Sequence, residues 1–489
     1  MINRFNVAFL VSLLCVTNLT AEPWVDTQNA LLRSDIERLS SVGIIKTPIN
    51  TWPLMWANIL DHIDDADMTG QPQSVVNSYA RVKAVGERST RVNRPSQSIK
   101  LSVANDSQVV RHFGESPRDQ GRLTLYQQGL TQHFAYNLEL TQVQDPWDNE
   151  SSHFDNSYLA MVLGNWVLGV GAVERWWGPG WNSSLILSNN ARPSAGLLVQ
   201  RNYADPFSLP ILEYFGPWTA SGFISELDDD RHISNAKLLG LTVGFKPTQN
   251  MEINLRRTAQ WGGDGRPQSL DNFIKLLSGG SDNCDTLICR DDEPGNQLGA
   301  IDVSWNLPVF GTSLYFQTVG EDESGYLPSR SSRQWGAKHY VEGLGLSGTL
   351  FLEYDNTTTV TQNSRYNYTY NHHIYQTGYR YGGRAIGATW DNDSKVTSLG
   401  FSGYLKNGDG LEFRYSSGDI NIDSIGGPVS KHSITTQGGD FSHFSTRWQR
   451  SFAWGEVKVG GEYYDRLIDE YGRHKDKLRV DLSIEYNLF

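Results

Sequence analysis

The chain closes on KLRVDLSIEYNLF, where Leu478, Val480, Leu482, Ile484, Tyr486 and Leu488 alternate with polar residues. Strict period-two text of this kind is what a strand with one apolar and one polar face requires. The same rhythm returns in QHFAYNLELTQ (132–142), GLTVGFK (240–246), MEINLRR (251–257), SLYFQTV (313–319), GLSGTLFLEY (345–354), GLEFRYS (410–416) and GEVKVGGEYYD (455–465). A soluble sandwich also alternates, so number and length of strands decide. Residues 97–489 accommodate about 18 strands at roughly 20 to 22 residues per strand and connection, each long enough for a tilted bilayer crossing of about 9 to 11 residues.

Composition agrees with a barrel around a hydrated lumen. The chain has 22 Tyr, 19 Phe and 15 Trp, which suits aromatic girdles at two membrane interfaces. Short connections (246–250, 306–311, 342–345, 406–410, 453–455) interleave with long polar ones (145–156, 227–235, 259–298, 320–331, 355–364, 417–440, 465–476). Short turns belong to the periplasm and long loops to the outside. The strand count upstream of Gly240 does not close on an even number, so some runs there are expected to be lumen loops or not strands at all. Phe489 ends the chain on an aromatic, on the opposite parity from the apolar set.

The amino-terminal text differs. Residues 1–21, MINRFNVAFLVSLLCVTNLTA, read as a secretory signal peptide with one early charge at Arg4 and an apolar stretch too short to span a membrane. Residues 22–95 read as a helical bundle that plugs the periplasmic end. A first helix is capped by Asp26 or Thr27 and stopped by Gly43, a second holds Pro53 in its first turn, and a third runs from Gln73 to about Gly86. Residues 96–489 form the barrel.

Charge and motif content narrow the function. A net charge of −12 without a polybasic face excludes nucleic acid as a partner. No GxSxG elbow, HExxH helix or P-loop is present, and no cofactor is expected. The acid clusters Glu226 with Asp228–Asp230, Asp291–Glu293, and Asp391 with Asp393 could hydrolyse a glycosidic bond, but they stand in loop text, where solvated acids or divalent-ion sites are the expected outcome; His372 and His373 have no placed acid or serine partner. Cys284 and Cys289, in NCDTLIC, are expected to close a small disulfide in an oxidising compartment, with zinc as the alternative.

One loop carries the densest aromatic text: ERWWGPGWNSSLILSNNARP (174–193). Gly178, Pro179 and Gly180 forbid strand pairing there, and the following asparagines and serines are costly in hydrocarbon. The preferred reading is a wedge filling the lumen. The alternative is sugar stacking, in which Trp176, Trp177 and Trp181 meet pyranose faces while Arg175 and Arg192 pair with acidic sugars, with Trp261 and Arg266 as further polysaccharide contacts. On the wedge reading, glycan contact falls to the outer loops 259–298 and 417–440.

The segments RWWGPGWNSSLILSNNARP, RTAQWGGDGRPQSLDNFIKLL, EPGNQLGAIDVSW, YQTGYRYGGRAIGATWDNDS and LRSDIERLSSVGIIKTPINTWPL, in order along nearly all of the mature chain, resemble the Wzi-type capsule-assembly family of Gram-negative outer membranes. The resemblance implies an 18-stranded barrel, a helical bundle at the periplasmic mouth, a closed lumen and a non-enzymatic lectin role toward capsular polysaccharide. The competing functions are a substrate-specific pore and a membrane-embedded hydrolase. The expected surroundings are outer-membrane lipid and lipopolysaccharide, the barrel-assembly machinery as folding partner, and a monomeric state.

Overall fold

The computed structural model describes residues 23–92, 96–146, 148–278, 295–308, 311–324, 327–360, 364–424, 432–465 and 476–488. The segment 1–21 expected to be a signal peptide, Asp291–Glu293, Cys284, Cys289 and Phe489 lie outside the described residues.

The alternating text folds into a closed antiparallel barrel. Its strands are β1 (Ser96–Ala104), β2 (Gly121–Leu130), β3 (Phe134–Gln144), β4 (Tyr158–Leu163), β5 (Trp166–Gly171), β6 (Gly196–Arg201), β7 (Trp218–Glu226), β8 (Lys237–Thr248) and β9 (Met251–Trp261). They continue as β10 (Gly295–Leu307), β11 (Thr312–Ser324), β12 (Leu327–Gly343), β13 (Leu346–Asn356), β14 (Lys395–Leu405), β15 (Gly410–Ile420), β16 (Gly439–Phe452), β17 (Gly455–Tyr464) and β18 (Leu478–Asn487). β18 pairs with β1 in the register Ile484 to Leu101, which removes every sheet edge.

The barrel has 18 strands. The upstream count fails to close from sequence because one stave is broken: Ser152–His153 pairs with Thr141 and Gln142 while β4 pairs with Phe134–Asn137, both on β3. Parity sorts the side chains as the text requires. Leu241, Leu255, Ile301, Leu352, Leu399 and Leu482 are exposed on the outer wall, whereas Asp302, Gln317, Gln334, Glu353 and Asp481 are buried in the lumen. Apolar residues outside and polar residues inside are what a bilayer imposes on a barrel. No helix among the described residues is long and apolar enough to cross a membrane.

Three helices, α1 (Ala30–Ser41), α2 (Trp56–Asp64) and α3 (Gln73–Ser89), sit at the end of the short turns. Two details correct the sequence reading. The N-cap of α1 is Asn29, whose Oδ1 accepts from Leu32 N at 2.9 Å; Asp26 instead accepts from Gln28 N, and Thr27 donates to Glu174. Pro53 lies before α2, between the extended pairs Thr51–Trp52 and Leu54–Met55, because Trp52 is recruited into a ladder with a loop from the opposite end of the barrel.

The helices are bolted to the wall by charge as well as apolar contact. Asp35 accepts from Ser78 at 2.7 Å, from Arg81 at 2.7 and 2.6 Å, and from Tyr404 of β14 at 3.1 Å. Glu252 of β9 takes the Ile49 and Asn50 N–H groups at 2.9 Å each, and Lys246 of β8 donates to Ser40 Oγ at 2.8 Å. The apolar core of the bundle is shared: Ile36, Leu39, Trp52, Trp56 and Ile59 pack with Trp176 and Trp181 of an outer loop and Phe351 of β13.

A fourth helix, α4 (Leu270–Ser278), was not expected from the sequence and follows β9.

Candidate functional site

Three long connections on the outer side, 105–120, 172–195 and 357–394, turn inward. Among the described residues most of their side chains are buried. The loop 172–195 descends furthest. Trp176 and Trp177 pair backbone to backbone with Trp52 and Thr51 of the amino-terminal unit, so an outer loop and the helical plug meet inside the barrel.

All three tryptophans of this loop are at 0% exposure. Trp176 Nε1 donates to Gly180 O at 2.9 Å and Trp181 Nε1 to Glu37 Oε2 at 3.1 Å. Trp181 stacks on Phe351 at 5.6 Å, and the Arg33 guanidinium lies 4.3 Å from the Phe113 ring centre and 4.6 Å from that of Trp181. The sharp backbone is held by lumen side chains: the Glu353 carboxylate accepts from Trp181 N and from Asn182 N, and Gln317 both accepts from Leu185 N at 2.7 Å and donates to Trp177 O at 2.9 Å. A Cβ on Gly180 would stand 2.2 Å from the Ser183 carbonyl oxygen, so close approach of backbone requires glycine there.

The outer end of the same loop is fixed electrostatically. Arg192 reaches Asp155 at 2.6 Å, Asp148 at 2.8 Å and Asp119 at 3.1 Å, joining three connections through one guanidinium. Burial opposes ionisation of Asp155, yet Arg192, Arg118, Arg122 and His153 together outweigh it and hold that carboxyl below its ordinary range. Arg118 donates to the carbonyls of Asn189, Asn190 and Ala191 at 2.8, 2.7 and 3.1 Å. Arg175 is buried over the Phe223 ring at 4.1 Å and bonds Val173 O.

The connection 357–394 caps the lumen from above. Tyr379 OH donates to Ile186 O at 2.9 Å, Tyr370 OH to Leu185 O, and Ser188 Oγ to Gly387 O at 2.6 Å. Asp391 and Asp393 are buried, not solvated as their loop text suggested. Burial opposes ionisation of Asp391, but bidentate Arg380 at 2.9 and 2.8 Å holds it well below the usual carboxylate range. Asp393 goes the other way: burial, with Asp423 and Asp391 nearby, pushes it up to about 7. Asp228 is likewise occupied, by Arg231 at 3.2 Å and Gly382 N at 2.8 Å, while Asp229 and Asp230 are exposed. His372 accepts from Ile374 N and Tyr375 N in a local turn.

The residues named for sugar stacking are therefore not brought to one open surface. Trp176, Trp177, Trp181, Arg175 and Arg192 are engaged inside the lumen, and each has its partners there. Trp261 stands on the outer wall, donating to Asn272 Oδ1 at 2.8 Å, and half-buried Arg266 closes a turn onto Gly263 O at 3.1 Å. What remains open to the outside is the rim of the outer loops, with Asp229, Asp230, His232, Asp264, Tyr366 and His373 exposed.

Fold and site together define a class: an outer-membrane β-barrel whose lumen is filled by its own loops and closed beneath by helices. Residues 90–470 match the model of the capsule assembly protein Wzi family, and the chain belongs to that family. A Klebsiella pneumoniae protein described as an uncharacterized 55.8 kDa protein in the cps region is 31% identical over 303 residues, 61% of this chain and 58% of that relative, so the match spans less than two thirds of its length. Among solved structures, Escherichia coli Wzi, described as an outer-membrane protein involved in group 1 capsule assembly and a carbohydrate-binding β-barrel, superposes with a TM-score of 0.82 at 24% identity. That superposition covers 95% of this chain and 99% of that one, and it establishes the shared fold.

Proposed function

We propose that this protein is a surface lectin of the outer membrane that binds capsular or related polysaccharide and anchors it at the cell surface, without catalysis. The observation that carries the proposal is the ladder between Trp176–Trp177 and Thr51–Trp52, which joins outer loop to periplasmic plug across the lumen. A barrel stuffed this way has its outer face, not its interior, available for work. Membership of a capsule-assembly family and the carbohydrate binding reported for the Escherichia coli structure support a glycan as the ligand.

Glycan contact falls on the outer rim. The loops 227–236 and 357–394 and the described part of 262–294 present carboxylates, imidazoles and a tyrosine ring there, groups that hydrogen-bond hydroxyls and stack on pyranose faces. The protein acts as a monomer in lipopolysaccharide-containing membrane. Deleting the gene is expected to release polymer into the medium while secretion continues; unchanged surface retention refutes the anchoring role. A glycan array probed with the purified barrel identifies the sugar.

A further inference from the structure

Helix α4 is used neither by the barrel wall nor by the closed lumen, and it lies outside the barrel. Strand parity fixes its side: Leu255, Arg257, Ala259 and Trp261 share one face of β9, and Leu239 shares a face of β8 with Leu241. Leu241 and Leu255 are exposed on the membrane-facing wall. Leu276 packs with Leu239 and Ala259 of that same face, with Phe273, Ile224 and Trp261 around them. The Trp261 ring meets Phe273 edge-on at 5.2 Å, and its Nε1 bonds Asn272.

The depth of the helix follows from Arg257. This residue pairs in register with Leu241 on β8 and Gly299 on β10, so its guanidinium emerges on the lipid side at the level of an exposed leucine. A bare cation there is costly. Arg257 instead donates to Leu277 O at 2.9 Å and Leu276 O at 2.8 Å, with Gln297 as a third partner. These carbonyls belong to the last described turn of α4, so the helix satisfies the wall arginine at membrane depth.

With about 3.6 residues per turn, α4 then has three sectors. Asn272, Phe273 and Leu276 face the wall. Asp271 and Lys275, a 2.8 Å ion pair, are exposed on a second side. Leu270, Ile274 and Leu277, spaced i, i+4 and i+7, are exposed on a third at 73%, 55% and 43%. An apolar stripe beside the lipid-facing belt of Leu241, Leu255 and Ile301 continues that interface.

We propose that α4 is an interfacial anchor: its Leu270, Ile274 and Leu277 stripe inserts among the acyl chains of outer-leaflet lipid, while Asp271 and Lys275 stay at the headgroup level. The anchor fixes the start of a long outer connection, 262–294, against the membrane plane and so sets the height of the rim proposed to hold glycan. It does not depend on that glycan reading.

The test is nitroxide accessibility in the full-length mature chain, with Cys284→Ser and Cys289→Ser as background, reconstituted in phosphatidylethanolamine and phosphatidylglycerol vesicles. Labels are placed singly through Ile274→Cys, Leu277→Cys and Asp271→Cys, with Leu255→Cys as the lipid-facing reference. The labels at 274 and 277 are expected to favour collision with oxygen over a water-soluble nickel chelate, as the reference does, while the label at 271 shows the opposite contrast. Chelate access at 274 and 277 equal to that at 271 overturns the proposal, because the stripe then faces water. Shielding from both reagents overturns it too, because protein then covers the stripe. Folding of each labelled protein is checked independently by heat-modifiable migration.

Discussion

The loops 172–195 and 262–278 look alike in sequence and behave in opposite ways. Each follows a strand, and each sets tryptophan against glycine: WWGPGW in one, QWGGDG in the other. The first dives into the lumen, where Trp176, Trp177 and Trp181 lose all contact with solvent; the second turns outward, and Trp261 supports a helix on the lipid-facing wall. The difference lies in what receives the backbone. Inside, Gln317, Gln334 and Glu353 stand ready to pair the N–H and C=O groups of a loop that cannot pair with itself. Outside, the wall around α4 is mostly apolar, so the chain satisfies its own backbone by becoming helical, with Arg257 bonding its last described turn.

The comparison is broken most severely at the inner loop's electrostatic joint. Arg192→Gln strips one guanidinium from three carboxylates and is expected to destabilise by about 5 kcal/mol, the upper range for breaking a buried pair. Thermal unfolding in detergent reads this as a large drop in melting temperature; an unchanged melt means the three connections are held otherwise. Trp181→Ala removes a fully buried ring stacked on Phe351 and should cost about 3–5 kcal/mol, with or without glycan present. If that variant melts like the parent but no longer retains polysaccharide, the indole serves sugar rather than packing. Trp261→Ala on the outer wall is expected to cost only about 1 kcal/mol, since α4 keeps its Leu276 and Arg257 contacts.

The smallest effect is on pH dependence. Asp393 has a folded pKa pushed up to about 7 against an ordinary 3.8, so the folded state holds a proton that the unfolded chain has already lost. Its contribution is therefore most favourable below about pH 4, declines as pH rises toward 7, and is level above. Asp393→Asn is expected to flatten melting temperature between pH 4 and pH 7; an identical slope in the variant assigns the dependence to another group.

Legibility in the sequence followed from local physics. Alternation announced the barrel because parity is a property of the strand alone: Leu478, Val480, Leu482, Ile484 and Tyr486 all face outward as the text of β18 implied. The loops were harder. Asp391 reads as a solvated acid because nothing nearby in sequence says that Arg380 and a folded-back connection will bury it. Helix α4 is legible in local pattern: SLDNFIKLL carries Leu270, Phe273, Ile274 and Leu277 at helical spacing, with Ser269 accepting from Asn272 N at its start. The Trp52 ladder was not legible, since it pairs residues from opposite ends of the barrel.

The outer loop and the amino-terminal plug meet inside the barrel. Planar-bilayer recording of the purified full-length mature protein tests it most directly. No steady large conductance is expected from correctly folded protein, because the Trp176–Trp52 ladder and the inward loops occupy the lumen between its two ends. Stable conductance steps, scaling with salt and carried by protein that still migrates as a folded barrel, would contradict it and favour the substrate-specific pore.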